Sequence, residues 1–432
     1  MAEKYKNPKK SRFQTPIGMH DILLSEQRYF KKIYNVVEDI ANFYRFKKID
    51  TPILEKTDLF SKGIGLSTDI VEKQMYSFKT KGGDSLTLRP EGTAPIVRAY
   101  LEHGMFTRSQ PVKLWYFGPF FRHDRPQAGR YRQFHQFGFE VLGEDSPVID
   151  AQMIQIFVKI LESLKFKKPR IEVNSIGDSK CRPYYKKLLI SYLKSRATGL
   201  CANCRKRIKE NPLRVLDCKE EKCQPVIAHA PQIIDHLCKK CHWHFKEVLE
   251  FLDELNLPYQ LNPHLVRGLD YYTRTVFEIS EDTQTGRQQG ALIGGGRYDR
   301  LARILGKRDV PACGGAAGIE RMVILMKEKK IRLPAFYQKS ELFLAQIGNL
   351  SKKKSLKLFE KFRKSNIRVI ESLGRDSLKT QLKRADKAGV KYTLILGQKE
   401  SLEGTIIIRD MKTGSQETVK LDKIVKEIKK RL

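Results

Sequence analysis

The sequence predicts an α+β protein: a large antiparallel sheet with flanking helices, an inserted helical domain and a smaller C-terminal α/β domain. Three observations carry this reading. Residues 115–140, WYFGPFFRHDRPQAGRYRQFHQFGFE, place aromatic strand-like runs on either side of an Arg, Pro and Gly-rich turn, the signature of two antiparallel strands joined by a long basic loop. Residues 177–256 then turn helical and lysine-rich, hold seven of the eight cysteines, and interrupt the sheet-type signal, which resumes only afterwards. From residue 338 to 432 strands and helices alternate, as in an α/β domain on a mixed sheet. The predicted division is a core of residues 1–176 and 257–332, an insertion of 177–256 and a terminal domain of 338–432.

Composition narrows the class. A chain of 432 residues is long enough for two or three domains with a large core. Lys plus Arg number 82 against 49 Asp plus Glu, a net +33, which points to a polyanionic partner such as RNA or DNA, with a well-solvated surface as the plainer explanation. No run of 18 apolar residues spans a membrane, and the start MAEKYKNPKKSRF lacks the apolar stretch of a signal peptide, so a cytosolic location is expected. In a reducing compartment, eight cysteines suggest metal or thiol roles rather than a disulfide framework.

Taken in order, the chain opens with a basic segment to about residue 14 that is expected to fray. An apolar-periodic helix follows over about 25–44, with Ser25 as its cap. FKKIDTPILE reads as a strand broken by Pro52, which belongs at an edge or interface because proline cannot donate to a ladder. Gly82 and Gly83 turn a hairpin of residues 76–79 and 85–88. In TLRPEGTA, Glu91 and Thr93 stand where a helix starts; they either cap it or bind a ligand.

The central hairpin carries Arg122 and Arg125 inward and Arg130 and Arg132 outward, bracketed by Asp124 and Glu140. Phe121, Phe134, Phe137 and Phe139 at strand spacing demand a core beneath, which fixes the arginines around a cavity. Planar guanidiniums that cannot lose their charge suit a polyphosphate there.

A helix is predicted over 147–164 and a strand at RIEVNSIGD. Within the insertion, CxxC at Cys201/Cys204 and Cys238/Cys241 can complete a tetrahedral structural zinc, with Cys218 and Cys223 as substitutes and His242 and His244 nearby; buried free thiols are the alternative. Strands are expected at 265–280 and 291–301, where Gly294, Gly295 and Gly296 make either a tight turn or a close approach to substrate. Residues 311–326 read as a strand entering a helix. Beyond a linker at 333–338, residues 338–432 hold 24 Lys and Arg against 11 Asp and Glu, a net +13.

These segments carry a resemblance over nearly the whole chain. The central stretch, in its RPQxGRxRQFxQxGxE form, resembles the second signature motif of class II aminoacyl-tRNA synthetases and of the histidyl-tRNA synthetases among them. VRGLDYYTRTVFE and GGGRYD match two segments peculiar to that family and its relatives. PACGGAAGIERMVILM resembles the third class II motif, and the helix, strand and Pro52 near the start resemble the first, which builds a dimer interface.

The resemblance implies a class II catalytic sheet, a C-terminal anticodon-binding domain and a homodimer that ligates histidine to tRNA(His) through a histidyl-adenylate, using ATP with Mg2+. It places Arg122 and Arg267 on the α-phosphate as catalytic residues, and Asp124, Phe134 and Arg321 with the rest of ATP, Arg321 on the γ-phosphate. Glu91 and Thr93 would hold the ammonium group. Gln136, Glu140, Arg267, Tyr271 and Tyr272 would line the histidine site, where a carboxylate and a phenol complement the donor and acceptor of an imidazole. Arg125, Arg130 and Arg132 would meet the tRNA acceptor stem. Zinc is not general in this family. Two departures stand out: Asp124 replaces a glutamate, and Gly315 and Ala317 are smaller than usual, which implies looser packing. A regulatory subunit of histidine biosynthesis shares the catalytic fold but lacks several of these arginines, whereas Glu91, Arg122, Arg267 and Arg321 are all present here.

Overall fold

The computed structural model describes residues 13–66, 68–281, 291–333, 340–374 and 377–432. The basic start up to residue 12 and most of the expected linker lie outside the described residues. The chain divides into two compact units, Met1–Leu333 and Pro334–Leu432.

In the first unit, the helix Leu24–Phe43 buries Phe30, Ile33, Val37 and Ala41, one stripe at helical spacing. It starts after Leu23 without a side-chain cap, so Ser25 lies inside the first turn instead of capping it. Strands β1 (Lys47–Lys48) and β2 (Leu54–Lys56) flank Pro52, which belongs to neither; the single strand expected here is two, in different sheets. With β3 (Tyr76–Lys79) and β4 (Ser85–Leu88), β2 forms a small sheet in the order β2-β4-β3.

The main sheet adds β5 (Val112–Phe121), β6 (Gln133–Leu142), β7 (Pro169–Ser175), β8 (Tyr259–Leu261), β9 (Thr273–Glu281), β10 (Ile293–Arg297) and β11 (Ala312–Gly318). Its eight strands run β1-β5-β6-β11-β10-β9-β7-β8. The six central strands are antiparallel, and the short edge strands β1 and β8 pair in parallel. Between β7 and β8 the chain forms helices and turns only.

The core lies between this sheet and the helices Leu24–Phe43 and Pro147–Ser163. Phe137 and Phe139 are fully buried in it, while Phe121 and Phe134, nearer the loop, are only half-buried. The small residues of β11 do not loosen this packing. A β-carbon on Gly315 would lie 2.7 Å from Phe157 Cε2, so the Phe157 ring fills the space that a larger residue would take, and Ala317 is completely buried. Two other expectations change. Residues 265–272 form a loop, and the strand starts at Thr273. Gly294, Gly295 and Gly296 lie within β10 rather than in a turn.

The second unit is a five-stranded sheet of β12 (Leu342–Gln346), β13 (Val369–Glu371), β14 (Tyr392–Leu396), β15 (Thr405–Asp410) and β16 (Gln416–Lys420), ordered β13-β12-β14-β15-β16. The first three pair in parallel and the last two antiparallel. Leu342, Leu344, Phe362, Leu394, Ile406, Ile408 and Ile428 build a core between sheet and helices. Among the described residues no helix is long and apolar enough to cross a membrane.

Candidate active site

Strands β5, β6, β10 and β11 and the helix Thr93–Glu102 converge on a buried acidic and aromatic floor. Glu91 precedes that helix and accepts the N–H groups of Thr93 at 2.7 Å and Ala94 at 2.9 Å, so it caps the helix in the way the local sequence allows. It also accepts the Tyr271 hydroxyl at 3.2 Å. Thr93 Oγ1 donates to Glu140 Oε1 at 2.8 Å, and Tyr298 Oη donates to Glu140 Oε2 at 2.5 Å. Glu140 sits opposite Gly314 in the ladder, and its carboxylate fills the space a side chain there would need.

All of these groups are buried. Burial pushes the Glu140 carboxyl up to about 8, with the bonds from Tyr298 and Thr93 pulling the other way and the neighbouring Glu91 adding to the rise. Burial also raises Glu91, against the helix N–H groups and Arg122. Tyr116 wedges beneath this floor: its ring carbon Cζ would lie 2.5 Å from a β-carbon on either Gly92 or Gly138.

Arg122 and Arg267 lie close enough to the floor to act on its charged and phenolic groups. Arg122, just past β5, donates from Nε to the Pro90 carbonyl at 2.8 Å and lies 5.4 Å from the Phe134 ring centroid. Arg267, in the loop before β9, pairs with Glu278 and stands 5.7 Å from the ring centroid of Tyr272. Its guanidinium occupies the space where a side chain on Gly294 would be, and its Nε is buried with no hydrogen-bond partner among the described residues. That unpartnered donor fits an incoming anion. Burial pushes the Tyr272 phenol up to about 12, with Arg267 opposing and Glu140 and Glu91 reinforcing. Gln136 on β6 is half-buried, paired in register with Gly118 and Gly318. Arg321, on the helix Ile319–Glu328, donates to the Ala291 carbonyl at 2.8 Å and the Gly129 carbonyl at 3.3 Å, tying that helix to the loop between β5 and β6.

Asp124 organises the loop itself. Its Oδ1 accepts the Arg125 N–H at 2.8 Å, its Oδ2 lies 3.2 Å from Arg130 Nε, and its carbonyl accepts from Arg132 Nε at 3.2 Å. The guanidiniums of Arg125 and Arg130 lie on an exposed loop tip, while Arg132 packs against Gly18.

Three buried positions at or next to this floor were not singled out from the sequence. Tyr298, the tyrosine of GGGRYD, takes the bond to Glu140; Tyr116 shapes the floor; and Arg297, fully buried, grips Asp150 at 2.7 Å while His244 Nε2 lies 2.7 Å from the other Asp150 oxygen. The quoted GGGRYD segment contained the signal for Tyr298 and Arg297. Tyr116 was one aromatic among many in a strand.

The expected zinc set is corrected. Cys201 and Cys204 converge with Cys218 and Cys223, whereas Cys238 and Cys241 converge with Cys181 and Asp178. The reason is connectivity: Cys238 and Cys241 open the last helix of the insertion, Lys239–Glu254, which returns to where the chain left β7, next to Cys181.

An antiparallel six-stranded core flanked by parallel edges, with arginines over a buried carboxylate floor, is the catalytic body of a class II aminoacyl-tRNA synthetase. A family model described as Histidyl-tRNA synthetase matches residues 18–322, and one described as Anticodon binding domain matches residues 339–431. Histidine–tRNA ligases from Halothermothrix orenii and Dehalococcoides mccartyi are each 44% identical, the first over 96% of this chain and 99% of its own, the second over 97% and 100%. The crystal structure of apo histidyl-tRNA synthetase from S. aureus superposes with a TM-score of 0.78 at 35% identity, covering 96% of this chain and all of that one. The chain belongs to the histidyl-tRNA synthetase family.

Proposed function

We propose that the protein ligates histidine to tRNA(His), with ATP as its magnesium salt, in two steps. A histidine carboxylate oxygen attacks the α-phosphorus of ATP, the bond to the β-phosphate oxygen breaks, and pyrophosphate leaves histidyl-adenylate. A ribose hydroxyl at the 3′ end of the tRNA then attacks the acyl carbon, and AMP departs. No protein nucleophile is required; the pocket has to position reactants and offset charge.

One observation carries this reading: Glu91 and Glu140 lie on the floor of the pocket that Arg122 and Arg267 border. The carboxylate of Glu91 suits the substrate's ammonium group, with Thr93 beside it. Glu140 and Tyr272, with Gln136 and Tyr271 alongside, suit the imidazole, and Tyr298 holds Glu140 in place. Arg122 and Arg267 flank the α-phosphate, and Arg267 has a buried donor free for it. Phe134 offers a face for the adenine, and Arg321 reaches the γ-phosphate. Asp124 acts on the nucleotide through the loop it shapes. Arg125, Arg130 and Arg132 meet the acceptor stem, where a basic loop suits a phosphate backbone.

Residues 1–176 and 257–332 serve as the catalytic core, 177–256 as its insertion, and 338–432 as the anticodon-binding domain. The exposed apolar Phe43, Ile53 and Leu54 near Pro52 support a homodimer. A cytoplasmic location follows from the substrates. The deciding experiment is histidine-dependent exchange of pyrophosphate into ATP, with the other amino acids as controls. Exchange with histidine alone is the expected result; no exchange while histidine still binds would place the chain with the regulatory relatives.

A further inference from the structure

Seven cysteines lie between β7 and β8, and all eight in the chain are free of disulfides. The stretch has no strand, and several of its turns are single turns of 3-10 helix, so its own core is thin. In two places its ligand atoms gather. The sulfurs of Cys201, Cys204, Cys218 and Cys223 all lie within 4.8 Å of one another, and so do those of Cys181, Cys238 and Cys241 with a carboxylate oxygen of Asp178.

Ordinary packing accounts for one buried thiol at a time, not for two four-atom convergences. The separation of Cys201 Sγ and Cys218 Sγ is 4.0 Å. That is about twice the length of a disulfide bond, and close to the ~3.8 Å edge of a tetrahedron whose zinc–sulfur bonds are about 2.3 Å. Backbone donors point at the sulfurs in both groups: Cys201 N–H to Cys223 Sγ at 3.2 Å, Cys204 N–H to Cys201 Sγ at 3.4 Å, and Cys238 N–H to Cys181 Sγ at 3.1 Å. Such donors stabilise negative charge on thiolate ligands. Asp178 is oriented in turn, since its Oδ1 accepts the N–H of Lys180 at 2.8 Å and of Cys181 at 3.2 Å. Gly177 holds a positive φ of 60° that folds Cys181 back towards the strand end.

We propose that this stretch binds two separate structural zinc ions, one through Cys201, Cys204, Cys218 and Cys223, the other through Asp178, Cys181, Cys238 and Cys241. Each thiol that binds releases its proton, so the first site loses four protons and the second three. Four protein ligands close each coordination sphere, which leaves no open position for catalysis. The placements differ in purpose. The first ion clips three turns together beside the helix Ala202–Glu210, whose following residue, Asn211, donates to Asp270 at 2.8 Å. The second pins the point where the chain leaves the sheet to the helix that brings it back. Arg182, adjacent to Cys181, donates to the carbonyls of Ile176 and Tyr272, so this ion stands one residue from a support of the pocket. None of this depends on which reaction the pocket catalyses.

Full-length protein purified without chelator is expected to hold two zinc per chain by mass-spectrometric metal analysis. Cys201→Ser and Cys238→Ser, both at half-exposed positions, are each expected to lose one and keep the other. If either variant fails to fold, cobalt titration of the metal-stripped native chain answers instead: thiolate-to-cobalt absorption should rise to two equivalents and stop. Asp178→Asn should weaken only the second site, by about tenfold or more in competition with a chelator. Three results would each overturn the proposal: saturation at one equivalent, eight reactive thiols with no bound metal, or fewer than eight thiols after denaturation without reductant, which would mean disulfides.

Discussion

The guanidinium of Arg267 occupies the space that a side chain on Gly294 would need. Of the three glycines in β10, Gly294 is the one that makes room for a protein cation; Gly295 lies against Phe277 and the backbone of β11, and Gly296 against the backbone of β9. A methyl group at Gly294 meets only the far end of a flexible side chain, so the fold should tolerate it while Arg267 is displaced. Gly294→Ala is expected to slow histidine-dependent pyrophosphate exchange by about a hundredfold with little change in thermal midpoint. Arg267→Ala should abolish the exchange and leave tRNA affinity nearly intact. Normal exchange in Gly294→Ala would detach Arg267 from the activation step.

The buried carboxyl of Glu140 makes stability depend on pH. Its folded value is about 8 against an ordinary 4.5. Between those limits the folded chain holds a proton that the unfolded chain has released, so stability is greatest below the lower value and declines as pH rises through the upper one. Glu140→Gln removes this dependence. In denaturant melts the native chain should lose a few kcal/mol of stability relative to Glu140→Gln between about pH 5 and about pH 9. A constant gap would show that Glu140 is ionised in the fold throughout.

The hairpin residues 76–79 and 85–88, the helix over 147–163 and the strand entering a helix at 312–328 were readable because each shows one clean period or one turn signal. β16, QETVK, was not: it is an exposed edge strand whose charges hide its alternation. Residues 265–272 looked like the start of a strand because β-favouring tyrosines and valine continue straight into β9. Glu91 and Arg122 stand out from local sequence, Arg267 and Arg321 only through the family resemblance, and the bond from Tyr298 to Glu140 only in the folded chain. Which cysteines meet depends on how a helical stretch folds back, information that CxxC spacing does not contain.

Asp150 should be among the most sensitive positions outside the pocket. It is fully buried, and its carboxylate answers Arg297 at 2.7 and 3.0 Å and His244 at 2.7 Å. Asp150→Asn leaves the fully buried Arg297 with Asp299, at 3.2 Å, as its remaining counter-ion, in place of the closer pair with Asp150, a loss of about 3–5 kcal/mol in denaturant unfolding. Asp58→Asn, which removes an exposed partner of Lys62, serves as the control and should change stability by less than about 1 kcal/mol.

Binding of tRNA should weaken steeply with salt. The net +33, of which +13 lies in residues 338–432, releases counterions from each phosphate it neutralises. A fall on the order of a thousandfold between low and physiological ionic strength is expected in equilibrium binding. A flat profile would leave the lysines as solvated surface.

Tyr116 stands against both Gly92 and Gly138, at 2.5 Å from a β-carbon on either. Trimming the ring to phenylalanine would not free that space, because ring carbon Cζ stands at least as close as the hydroxyl does. Neither glycine can accept a side chain until Tyr116 has first become smaller, and a smaller residue there leaves a void beneath the floor until one of the glycines has grown. Each single step is unfavourable unless the other has already happened. These three positions, far apart in the chain, can therefore change only together, which makes the shape of the pocket floor resistant to gradual drift.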